Sequence, residues 1–103
     1  MNLAADLAAD RERFIRLTIL QLLTGQPMGN ANDAAIYEAL NAMDVKCDRD
    51  QVRGHLFWMG QQGLIAVLDL RGSNGLVVAT LSEKAHDVAK GRSYVPGVAR
   101  PES

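Results

Sequence analysis

Arg49, Asp50, Gln51, Arg53, Gly54, Phe57 and Gln61 fall within one stretch, DRDQVRGHLFWMGQQGLI, running from Asp48 to Ile65. Several of these types read nucleic acid. A guanidinium fork pairs with phosphate or a guanine edge, and a glutamine amide pairs with adenine. Gly54 would let a backbone approach closely, and Arg71, in a glycine-rich segment further on, could enter a minor groove. Phe57 and Trp58 do not suit a hydrated groove. Buried, they are packing residues; exposed, they would form a protein-binding patch. Charge tempers the nucleic-acid reading. From Asp44 to Gly72, Lys46, Arg49, Arg53 and Arg71 are matched by Asp44, Asp48, Asp50 and Asp69. Phosphate neutralisation supplies most non-specific affinity, so one such surface should bind DNA weakly unless it is doubled in a dimer.

Other chemistries find less support. Cys47 is the one cysteine, and neither His55 nor His86 has a partner at metal-ligand spacing, so no metal or cofactor is expected. His55 reads as a core-edge histidine with a backbone partner. Asp48 and Asp50 lie at a helix N-terminus, where the helix dipole favours negative charge, and this reading outweighs a catalytic pair. Ser73 and Ser82 have no apparent base. Asn74-Gly75 is a hairpin signal rather than a phosphate loop. No catalysis is expected.

The elements that must position these residues follow from spacing. Asp48 and Gln51 make a D-x-x-Q capping box, and Val52, Leu56 and Met59 recur on one helical face. Gly63 ends that helix, with Leu64 placed to fold back on Met59. Ile65–Leu70 and Leu76–Leu81 then flank Arg-Gly-Ser-Asn-Gly as a hairpin. Val52-Arg53-Gly54-His55-Leu56-Phe57-Trp58-Met59-Gly60-Gln61-Gln62-Gly63-Leu64-Ile65 resembles the V-S-x-H-L-x-x-L-x-x-x-G-L-V line of ArsR-type and MarR-type bacterial regulators. That resemblance implies a recognition helix over 48–62 and a wing tip over 71–75. The whole chain also resembles the short winged-helix proteins of Mu-like prophages. The cysteine-rich site of many ArsR-type metal sensors has no counterpart here.

Upstream, Asn2 or Asp6 can start a first helix running to about Leu23. Phe14, Ile15, Leu17, Ile19, Leu20, Leu22 and Leu23 cover most of its circumference, so it should be buried on more than one side. One side would meet the core, and the other would meet a second copy of the chain or be covered by the Tyr94-to-Val98 tail folding back over it. Gly25 and Pro27 break the helix. Asn30 or Asn32 then caps a short second helix with Ile36, Leu40 and Met43 facing in, and Val45 follows in an inward position. Ser82 or Thr80 caps a fourth helix with Ala85, Val88 and Ala89 inward. The two prolines after Tyr94 predict an extended, packed tail.

A chain of 103 residues, 48% hydrophobic with net charge −1, fits one globular domain without the basic excess of an indiscriminate nucleic-acid binder. No apolar run approaches the roughly 20 residues of a membrane span. The expected fold is mainly α with a small β-hairpin, a winged helix-turn-helix ordered α-α-α-β-β-α, over 1–91 with a tail over 92–103. The expected function is DNA binding as a transcription regulator, with double-stranded DNA as partner and a homodimer joined through the first helix. It would act in the cytoplasm of a bacterial host. The alternative is a protein-interaction module, a phage accessory factor using Phe57 and Trp58.

Overall fold

The computed structural model describes residues 2–102. The chain runs α1 (Leu3–Thr24), a 3-10 turn (Pro27–Gly29), β1 (Asn30–Asn32), α2 (Asp33–Ala42), α3 (Arg49–Gln61), β2 (Ile65–Leu70), β3 (Leu76–Leu81) and α4 (Glu83–Ala89). Four helices thus accompany a three-stranded antiparallel sheet in the order β1-β3-β2.

The helix ends follow their local chemistry. Asn2 caps α1 by accepting from the Ala5 amide at 3.2 Å, and Asn32 caps α2 by accepting from Ala35 at 2.9 Å. In α3 the Gln51 amide donates to Asp48 at 2.8 Å while the Gln51 side chain accepts from the Asp48 amide at 2.9 Å. This closes the expected capping box. At the other end Gly63, at φ 74°, donates to Gly60 and Leu64 donates to Met59, forming a complete Schellman motif. The hairpin pairs Ile65 with Leu81 through to Leu70 with Leu76, leaving Arg71 to Gly75 as its tip.

Three expectations need correction. The sheet has a third strand: Asn30, Ala31 and Asn32 pair with Thr80, Ala79 and Val78. Asn-Ala-Asn carries no strand signal of its own, and the free edge of β3 induces its pairing. Met43 is 53% exposed rather than inward. Helix α2 ends one residue before it, in a second Schellman motif. Asp44, at φ 60°, donates to Asn41, and Val45 donates to Leu40. The turn brings Val45 against the core in its place. Ser82 does precede α4, but its hydroxyl makes no capping bond and is buried without a partner.

Leu20, Leu23, Leu40, Val52, Leu56, Met59, Leu64 and Val77 form the fully buried centre. Helix α1 packs on α2, α4 and β3, while α3 packs on α2 and β2. The tail completes the cover. Val98 is buried, and the Ala99 amide donates to the carbonyl of Arg13 in α1 at 3.1 Å. Ile15, Leu17, Ile19, Leu20 and Leu23 are therefore enclosed within the chain, leaving Leu3, Leu7 and Phe14 as the exposed large apolar residues of α1. Among the described residues, no helix is long and apolar enough to cross a membrane.

Candidate functional site

Residues from three elements meet on Asp33, the first residue of α2, whose side chain is fully buried. Strand β1 pairs with β3 up to Asn32 and Val78, and the chain then turns into α2. The next ladder bond is made by a side chain instead of the backbone: the Val77 amide donates to Asp33 Oδ1 at 2.9 Å. On the other carboxylate oxygen, Arg53 Nε donates at 2.6 Å and Arg49 Nε at 3.0 Å. Both guanidiniums also reach the hairpin tip, donating to the Gly75 carbonyl at 2.6 Å from Arg53 and 3.3 Å from Arg49. Burial pushes the Asp33 carboxyl up, but the Val77 amide and the two arginines more than offset it, so it lies below the usual carboxylate value. One acid thus joins α2, the N-terminal half of α3 and the hairpin.

The residues singled out in the sequence divide around α3. Arg49, Arg53, Phe57 and Arg71 lie on the hairpin side. Arg53 is mostly enclosed, its side chain 21% exposed, whereas that of Arg49 is 41% exposed. Arg71 donates to both carboxylate oxygens of Asp69, at 2.9 and 2.7 Å, and its guanidinium stands 5.0 Å from the Phe57 ring centre. The bonds from Arg71 hold the Asp69 carboxyl down at about 2. Asp50 and Gln61 project into solvent, with Asp50 Oδ1 3.9 Å from Arg53. Gln51 and Gly54 are exposed on the opposite side, facing α1, and a Cβ at Gly54 would meet nothing within 4 Å. The spacing of the arginines was legible; Asp33 was not, since an Asp after an Asn cap reads as an ordinary first-turn acid.

Comparison with known proteins places the chain. The uncharacterized protein gp26 of Escherichia phage Mu is 40% identical over 86 residues, covering 84% of this chain and 85% of that protein. The chain belongs to the phage Mu gp26 family. An uncharacterized protein of Haemophilus influenzae is 32% identical over 69 residues, 67% of the chain and 65% of that protein. No protein-family model matches, and no solved structure matches. The expected resemblance to small Mu-like phage proteins is the part these relatives support.

This gp26-family chain has a second polar centre between α1 and α3. Arg16 Nε donates to His55 Nδ1 at 3.1 Å, and its terminal nitrogens reach the Gly97 carbonyl at 3.0 Å and Glu12 at 3.6 Å. Its guanidinium also lies 4.1 Å from the Trp58 ring centre. His55 therefore has a side-chain partner rather than the expected backbone one. Because Nδ1 accepts, the imidazole proton resides on Nε2. Burial and the neighbouring arginine both push the His55 pKa below its usual value. Trp58 is half-buried beneath the tail, and Phe57 is half-buried against the core, so the two do not form one open aromatic patch. Among the described residues, no three His, Cys, Asp or Glu side chains gather as a metal site would require.

Proposed function

We propose that the chain is a winged-helix module that binds double-stranded DNA and acts by binding rather than catalysis, as a regulator in the cytoplasm of a bacterial host. The order helix, strand, helix, helix, hairpin, with β3 between β1 and β2, supports the winged-helix reading. Helix α3 would then be the recognition helix and Arg71 to Gly75 the wing tip. The observation that carries the DNA reading is the bracing of Arg49 and Arg53 by Asp33, between the start of α3 and the hairpin tip. A guanidinium has five N–H donors. Holding Nε on a buried carboxylate fixes the plane of the fork and leaves donors on Arg49 for phosphate or base edges. Arg49, the more exposed of the pair, is the principal contact in this reading, and Arg53 positions it. Asp50 and Gln61 would flank the contact, whereas Gln51 and Gly54 lie on the far side of α3.

Fluorescence anisotropy with a duplex, across a salt series, tests the proposal. Binding should weaken steeply with salt, and Arg49→Ala should lower affinity and reduce the salt slope by about one unit. Binding that is absent, or indifferent to salt, would overturn it. A protein-interaction module is the second reading, favoured by charge. Arg49, Arg53 and Arg71 on this face are balanced by Asp33, Asp50 and Asp69. The same near-neutral face gives the DNA reading a need for two copies. A homodimer joined through the exposed Leu3, Leu7 and Phe14 of α1 would supply them. Sedimentation of the chain and a Leu3→Glu/Leu7→Glu variant measures this: a variant that associates as wild type does excludes that interface.

A further inference from the structure

The groove between α1 and α3 lies on the other side of α3 from the hairpin, away from the arginines on which the DNA reading rests. It is an open groove of about 480 Å3, within the range of small-molecule sites. Its walls combine two chemistries. Ala8, Ile15 and Trp58 supply apolar surface. Arg11, Arg16 and Lys46 supply positive charge against one acid, Glu12. Arg11 is not a loose surface side chain, since it donates across the groove to the carbonyl of Lys46 and ties α1 to the turn before α3. His55 lines the same groove at 8% exposure. Its Nδ1 is taken by Arg16, so Nε2 bears the proton. Among the described residues nothing accepts that proton. A ring N–H that opens on a cationic groove with apolar walls, and that no protein group engages, fits a ligand with one negatively charged end and an apolar body.

We infer that this groove is a binding site for a small organic carboxylate, with the carboxylate held by His55 Nε2–H, Arg11 and Lys46 and its apolar body against Ile15 and Trp58. The site does not depend on the DNA reading, because none of the arginines on the hairpin side takes part. Arg16 serves as the positioning residue: its bond to Nδ1 sets the imidazole tautomer that offers a donor to the ligand.

Titration of the isotopically labelled chain with 2-naphthoate, followed by NMR, tests the inference. The neutral isostere 2-naphthalenemethanol provides the comparison. Two reporters sit at the groove: the Gly54 amide and the indole N–H of Trp58, the chain's one tryptophan. Saturable shifts at both should appear with naphthoate, at an affinity about ten-fold above that of the alcohol. Arg11→Gln/Lys46→Gln should abolish that preference, and Lys46→Gln alone, at an exposed residue, should reduce it. Equal affinity for acid and alcohol would overturn the inference, as would shifts that never saturate, shifts centred on Asn74 and Gly75, or an acid preference that survives in both variants.

Discussion

Replacing Asp33 by alanine should destabilise this fold more than most single changes to its polar residues. The carboxylate is fully buried and accepts from the Val77 amide, Arg53 and Arg49. Removing it leaves the buried Val77 N–H without an acceptor, which costs about 1–3 kcal/mol. It also strands Arg53, whose side chain is only 21% exposed. Breaking a buried ion pair by deleting one partner costs about 3–5 kcal/mol in all. Arg49 adds little, because its side chain is 41% exposed and such pairs contribute about 1 kcal/mol or less. A loss of about 3–5 kcal/mol is a large part of the ~5–15 kcal/mol that holds a domain together. It should lower the melting temperature by roughly 12–40 °C at about 4–8 °C per kcal/mol. Urea unfolding monitored by circular dichroism measures this, with Arg49→Ala as the control. The reasoning is refuted if Asp33→Ala loses less than about 1 kcal/mol, or no more than the control. The acid limb gives an independent reading. A carboxyl held below its usual pKa stabilises the fold fully above about pH 4, and that stabilisation is lost as pH falls through the folded value. The same limb should be shallower in Asp33→Ala.

Leu56 is fully buried in α3, so Leu56→Ala should cost about 2–5 kcal/mol in the same unfolding assay; a near-normal midpoint would contradict its enclosure. Gly97 has φ 97°, and a Cβ there would lie 2.5 Å from the Trp58 ring. Gly97→Ala should therefore cost about 1–3 kcal/mol and red-shift Trp58 fluorescence as the tail lifts; an unchanged emission maximum would argue against that packing. The depressed His55 pKa makes the neutral ring the form the fold favours. Its contribution should be complete above about pH 6.5 and decline as pH falls below it, a dependence that His55→Gln should flatten; equal slopes in the two chains would refute it.

Local signals read true where the chain's own backbone decides the outcome. The capping box at Asp48 and Gln51, the Gly63 terminus and the hairpin all arise from interactions within a few residues. The inward face of α3 at Val52, Leu56 and Met59 follows from helical periodicity alone. What escaped notice depends on distant partners. Strand β1 exists because β3 offers a free edge about 50 residues later, as in the pairing of Asn30 with Thr80. The apolar circumference of α1 left two covers open, a second subunit or the chain's own tail. In the fold, α2, α4, β3 and a tail that returns to Arg13 enclose most of it.

Arg53 illustrates the same limit within the candidate site. On a helical wheel it flanks the outward face of α3, and it reads as a free contact for nucleic acid. In the fold that guanidinium is committed at both ends, to Asp33 and to the Gly75 carbonyl. Loss of DNA affinity in Arg53→Ala would therefore mix a lost contact with a loosened hairpin. Arg49 shares both partners through a longer, more exposed reach. Substituting it removes a charge while Arg53 still holds Asp33 in place. The informative arginine on α3 is therefore Arg49. A drop in DNA affinity there with stability nearly unchanged reports on recognition, whereas a parallel fall in both would assign the pair to scaffolding and favour the protein-binding reading.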